Sequence, residues 1–176
     1  LREAVRGIPL LEVSTLEGEL DGPSYTWASL SERHRRSGAC ADPDSCPLPA
    51  PAERPFFMMG AESFAALHTW RRGMELPKLG HLVMVPRGGE DRSVSRESIR
   101  RYWPGSLPDD ERADEAVYER ETIALAGEAA GGGHCTFLPV PRLGISATFG
   151  RRRWCEGRSL AGRIPEGVLA LMARER

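Results

Sequence analysis

FFMMGAESFAALHTWRRGMELPKLGHLVMVPRGG, residues 56–89, holds two short largely apolar runs, FFMMG (56–60) and HLVMVPR (81–87), separated by a helix-like stretch. Each run is too short for a helix. Each is also continuous in its apolar character, which is the pattern of a strand buried on both faces. Between them, ESFAALHTWRRGMEL reads as one or two helices stopped by Pro77, and Pro86 with the Gly88-Gly89 turn ends the second run. Strand, helix, buried strand is the repeating unit of an α/β domain around a parallel sheet.

The flanking sequence extends this alternation. LLEVSTLE (10–17) is β-branched with a partial period of two and reads as a strand, and LDGPSY (20–25) supplies a turn. Ser24 is placed to cap the helix YTWASLSERHRR, whose Trp27 and Leu30 are three apart, and Gly38 is placed to end it. Residues 37–55 read as a Pro/Ala-rich loop. From 90 to 134 the chain is charged, and it reads as an exposed insertion with a helix in DDERADEAVYERETIALAGEA (109–129). CTFLPVP (135–141) reads as the last strand, Ser146 as the cap of a helix running to Gly157, and Pro165 as the opening of a final helix. The whole, 1–176, reads as a single domain.

A chain of 176 residues can bury a core of its own. Its formal net charge of -1 excludes a chain-wide attraction to nucleic acid or to an anionic membrane. No apolar run approaches the ~20 residues a bilayer span needs. Cys40, Cys46, Cys135 and Cys155 form no C-x-x-C pair, so zinc spacing is absent; Cys40 and Cys46 flank an Asp/Pro loop across which they could meet, and free thiols of a reducing cytosol are the expectation. The four histidines lie on four separate segments, with no metal-ligand spacing and no Ser/His/Asp or Cys/His arrangement. Nothing in the sequence speaks to oligomeric state.

GISATFGRRRW (144–154) is the densest polar stretch. A helix capped by Ser146 presents its first amides and the hydroxyls of Ser146 and Thr148 at its N-terminus, where anions are attracted. Arg151, about one turn on, adds a charged fork for phosphate oxygens. Taken alone, the same residues also describe a capped surface helix with solvated arginines.

Four stretches in order, PSYTWASL (23–30), FFMMGAESFAALHTW (56–70), HLVMVPRGG (81–89) and ISATFGRRR (145–153), resemble the bacterial nicotinate mononucleotide adenylyltransferase family. The resemblance runs from about Leu10 to the C-terminus and is poor over 37–55 and 90–134. It implies a Rossmann-like nucleotidyltransferase that joins ATP, with Mg²⁺, to nicotinate mononucleotide and releases pyrophosphate. Such a reaction needs alignment and charge neutralisation more than a side-chain nucleophile, and no catalytic residue is assigned. Carried over position by position, the resemblance gives Thr26 and Trp70 to the mononucleotide, Trp70 as a platform for the pyridine ring. It gives Gly60, Glu62, Ser146, Thr148 and Arg151 to ATP. Glu62 stands where the family has aspartate, Ser29 where it has threonine, and Gly88 where it has proline.

The family also opens with a Gly/His segment of the form G-x-F-D-P-x-H-x-G-H, which is absent from these residues. LREAVRGIP (1–9) resembles the end of the family's second helix. The expectation is an N-terminally truncated chain lacking about one βαβ unit, on the order of 50 residues, from a sheet ordered 3-2-1-4-5. Two other readings stay open: an adenylyltransferase acting on nicotinamide mononucleotide or phosphopantetheine, and a nucleotide-binding remnant without turnover.

Overall fold

The computed structural model describes residues 1–39, 46–85, 90–107, 120–141 and 146–174. Contacts cluster into two compact units, Leu16–Arg142 and Leu1–Thr15 with Leu143–Arg176, described separately below.

The larger unit is built on four strands: β1 (Phe56–Gly60), β2 (His81–Val85), β3 (Glu121–Ala124) and β4 (His134–Phe137). Their order is β1-β2-β4-β3, with β1, β2 and β4 parallel and β3 antiparallel to β4. The α/β expectation therefore holds, as a mixed, mostly parallel sheet. HLVMV lies between two strands, and Leu82 and Met84 are wholly buried, as its continuous apolar character predicts. FFMMG departs from expectation. Phe57 packs on the core and Met59 is buried, but Phe56 is 72% and Met58 62% exposed. β1 is the outer strand of the described sheet, and the core lies on one sheet face, so only alternate residues are covered.

That core gathers Phe64, Leu67, Leu76, Leu82, Ile99 and Trp103. Wholly buried leucines such as Leu67 and Leu76 each contribute about 2 kcal/mol. The segment between β1 and β2 is α4 (Ala61–Ala65), then 3₁₀ turns at Leu67–Thr69 and Gly73–Lys78. Pro77 lies inside the last of these and does not stop it. The turn ends instead where the amides of Leu79 and Gly80 both donate to the Leu76 carbonyl, at 2.9 and 3.0 Å. A short 3₁₀ turn tolerates proline because few of its amides need an internal partner.

The charged stretch is not the exposed insertion its composition suggested. Helix α5 (Glu90–Tyr102) carries Ser95 and Ile99 fully buried and leads into Trp103, whose indole donates to the Met74 carbonyl at 3.1 Å. Residues 121–124, expected as helix, form β3. There Ile123 is buried, the Thr122 and Thr136 hydroxyls meet at 3.0 Å, and Glu121 pairs with Arg96, itself 4% exposed. Most of the remaining expected helix, 109–119, lies outside the described residues, as do Pro86–Gly89.

LLEVSTLE is likewise not a strand. Residues 11–15 have no regular structure and α2 (Leu16–Glu19) follows, because a β-branched run forms a strand only beside a partner and none of the four strands pairs with it. Helix α3 (Thr26–His34) is present with Trp27 and Leu30 on the core, and Gly38 at φ 80° marks its exit. Its N-cap is Tyr25, not Ser24, and no side chain caps it.

In the smaller unit α1 (Arg2–Val5) packs on α7 (Glu166–Arg174), and α6 (Ala147–Cys155) begins at Ser146. Cys46 is disulfide-bonded, against the expectation of free thiols; Cys40 lies outside the described residues. Cys135 and Cys155 are free thiols. Burial, with a smaller push from the charge of Glu121, raises the Cys135 thiol to about 12, whereas Cys155 is exposed. A disulfide reagent at pH 8 should label Cys155 in the native protein and Cys135 only after unfolding; native labelling of Cys135 would contradict this burial.

Candidate functional site

Trp70 stands at the end of the 3₁₀ turn Leu67–Thr69, half-buried against the core. Thr26 is the first residue of α3, also half-buried. These two sequence-predicted positions come from segments that pack together in the larger unit. The guanidinium of Arg71 lies 5.0 Å from the Tyr25 ring centre, and that of Arg72 lies 3.7 Å over the Trp27 ring. Two consecutive arginines after Trp70 therefore grip the two aromatic residues on either side of Thr26, contacts worth about 0.5–1 kcal/mol each at exposed sites.

The backbone after Trp70 is a tight turn, closed by the Gly73 amide donating to the Trp70 carbonyl at 3.0 Å. Arg72 occupies its third position at φ 54°, ψ 28°, the one positive-φ residue other than glycine among the described residues. An L-residue pays roughly 1–2 kcal/mol there, and turns of this kind favour glycine. The side chain holds the conformation: Nε and Nη2 of Arg72 donate to the two carboxylate oxygens of Glu75 at 3.0 and 2.9 Å. Gly73 is required by space, since a Cβ would lie 2.0 Å from the Leu67 carbonyl oxygen and 3.0 Å from Trp70 Cβ.

Arg72, with a smaller contribution from Lys78, lowers the Glu75 carboxyl from 4.5 to about 2. Its stabilisation is complete above pH 4.5 and is lost as pH falls through about 2. The pair is well exposed, so it is worth under about 1 kcal/mol. Glu75→Gln should flatten the fall in Tm between pH 4.5 and 2, measured against wild type; an unchanged slope would deny the pair a role.

Gly60 ends β1 at ordinary backbone angles, and a Cβ placed there would meet nothing within 4 Å. It lies at the C-terminal edge of the parallel strands, beside Val85 of β2. Glu62 follows, exposed, in the first turn of α4. At the opposite edge, His81 Nε2 donates to the Pro51 carbonyl at 2.8 Å, and its Nδ1 accepts from the His134 amide at 3.2 Å. Both ring nitrogens of His81 are thus occupied by backbone. Among the described residues, no group of three His, Cys, Asp or Glu could hold a metal ion, and no helix is long and apolar enough to cross a membrane.

In the smaller unit Ser146 caps α6 as its sequence position predicts: its Oγ accepts from the Phe149 amide at 3.1 Å. The Gly150 amide makes the first intrahelical bond, to the Ser146 carbonyl at 2.9 Å, which leaves the Ala147 and Thr148 amides ahead of the ladder. Thr148 and Arg151 are exposed. Ser146 and Arg151 lie on the wall of one cleft of about 430 Å³, lined further by Phe149, Trp154 and Met172. Arg152 pairs with Glu156 at 3.2 Å, and Arg153 donates twice to the Ser159 carbonyl at 3.2 and 3.0 Å, so Arg153 is not the solvated side chain it resembles in sequence.

The sequence reading missed Tyr25, Arg71, Arg72, Gly73 and Glu75 as a group. Arg-Arg-Gly after a tryptophan was the available signal, a charged pair followed by the residue that lets a turn close.

No family model matches the chain. It is 31% identical to a probable nicotinate-nucleotide adenylyltransferase of Marinobacter nauticus, over 96% of this chain and 66% of that protein. It is 28% identical to one of Desulfatibacillum aliphaticivorans, over 99% of this chain and 71% of that protein. With one of Maridesulfovibrio salexigens it shares 26% identity, over 98% of this chain and 68% of that protein. The chain thus spans about two thirds of the length of these relatives. Across nearly all of its own length it is a relative of the bacterial nicotinate-nucleotide adenylyltransferases.

Proposed function

We propose that the protein transfers the adenylyl group of ATP to nicotinate mononucleotide, giving nicotinate adenine dinucleotide and pyrophosphate, a step toward NAD. The observation that carries this reading is the packing of the Trp70 turn against the Thr26 helix start, in a chain related along its length to proteins of that name. The indole of Trp70 stacks on the electron-poor pyridine ring, and amides at the start of α3 receive the nicotinate carboxylate. A site built for that anion leaves donors unpaired with the amide form, which disfavours nicotinamide mononucleotide.

A phosphate oxygen of the mononucleotide attacks the α-phosphorus of ATP. One P–O bond forms there, the bond to the β-phosphate oxygen breaks, and pyrophosphate leaves. The nucleophile is already an anion near neutral pH, so no general base is assigned. Mg²⁺ enters with ATP as its phosphate counter-ion. Gly60 gives the nucleotide close access to backbone, and Glu62 accepts from its ribose. The cap bond uses one lone pair of the Ser146 oxygen and leaves its O–H to donate to phosphate, beside the Thr148 amide and hydroxyl and the Arg151 fork.

Arg151→Ala should raise KM for ATP about tenfold, the loss expected for one charge-assisted hydrogen bond, with KM for nicotinate mononucleotide within about twofold. Equal changes in both would place Arg151 elsewhere. The reading itself is tested by pyrophosphate release from the protein purified from its own cells, supplied with MgATP and nicotinate mononucleotide. Release with that substrate, and little with nicotinamide mononucleotide or phosphopantetheine, is the expected result. Nucleotide binding without release would overturn it in favour of a binding domain.

A further inference from the structure

We propose that Arg72 is a positioning residue for the substrate's pyridine ring, fixing through the turn Trp70–Gly73 the plane in which the Trp70 indole is held. The inference rests on Trp70 being the ring platform. It comes from an outlier: a left-handed arginine, two residues past the platform, in a turn position that suits glycine. Three observations say that the conformation is held from outside the turn. Both carboxylate oxygens of Glu75 receive the guanidinium, the centre of the Trp27 ring lies 3.7 Å below it, and the Leu67 carbonyl leaves no room for a side chain at the adjoining Gly73. Trp27 belongs to the helix that begins at Thr26, so the same contact ties the platform to the segment assigned to the nicotinate carboxylate. A glycine at 72 would reach the same backbone angles without strain but would leave the turn free to rock. Arginine sets its orientation.

The test is steady-state kinetics and thermal melting of the whole protein with Arg72→Gly, Arg72→Ala and Glu75→Gln. Arg72→Gly keeps the fold, because glycine enters this region freely, so the test stands even if Arg72→Ala is poorly folded. The expected result is an Arg72→Gly protein with Tm near wild type, KM for nicotinate mononucleotide up about tenfold, and KM for ATP within about twofold. Glu75→Gln should move the same constant in the same direction. Combined with Trp70→Ala, Arg72→Gly should add nothing, since the platform it orients is gone. An Arg72→Gly protein with wild-type KM for nicotinate mononucleotide, with both constants raised alike, or with an effect fully additive to Trp70→Ala overturns the proposal. A wild-type protein that releases no pyrophosphate with nicotinate mononucleotide overturns the underlying reading instead, and with it this assignment.

Discussion

Trp70→Ala is expected to raise KM for nicotinate mononucleotide roughly 30-fold while leaving KM for ATP within about twofold. Stacking of one heteroaromatic ring on an indole is worth ~2 kcal/mol, and each 1.4 kcal/mol is tenfold in affinity. The pyridine ring lies away from the reacting phosphate, so the contact is the same in ground and transition states and its loss falls on KM more than on kcat. Trp70 also packs on the core, so the variant loses some stability, and circular dichroism and Tm must accompany the kinetics. A Trp70→Phe protein that recovers most of the affinity would support stacking. Unchanged KM for nicotinate mononucleotide in Trp70→Ala would leave the indole as a packing residue.

The second large effect is on folding. Gly73→Ala should cost about 3 kcal/mol, the upper range for over-packing. Its Cβ would lie 2.0 Å from a backbone oxygen of Leu67, and backbone cannot swing aside as a flexible side chain can. For a chain of this size that is a fall in Tm of about 6–12 °C. Gly60→Ala is the control, because open space surrounds that position. If both variants melt with the wild type, the close packing of the turn on Leu67 is wrong.

What the sequence revealed was local. HLVMV declares a buried strand because nearly every residue in it is apolar, and Ser146 declares a cap because a hydroxyl before a helix has one good use. What it concealed depends on partners distant in the chain. Residues 121–124 sit in a run of Glu, Arg and Ala with high helix propensity, yet pairing with β4 and the Arg96–Glu121 bridge make them a strand. LLEVSTLE fails in the opposite direction, with strand-forming residues and no strand beside them. FFMMG carries no sign of which of its faces will be covered. Trp70 and Thr26 were singled out through resemblance, but the Arg71–Tyr25 and Arg72–Trp27 contacts join residues more than 40 positions apart, and no local pattern encodes such a pairing.

The outward face of β1 has a consequence for the protein in concentrated solution. Phe56 and Met58 stand exposed on β1, the outer strand of the described sheet. An extended segment from another molecule can lengthen the sheet there, its backbone bonds indifferent to sequence and its side chains drawn to the apolar surface. No lysine or proline lies within 56–60 to discourage it. A single charge at position 58, on the exposed face of β1, should therefore lower self-association of this chain in concentrated solution.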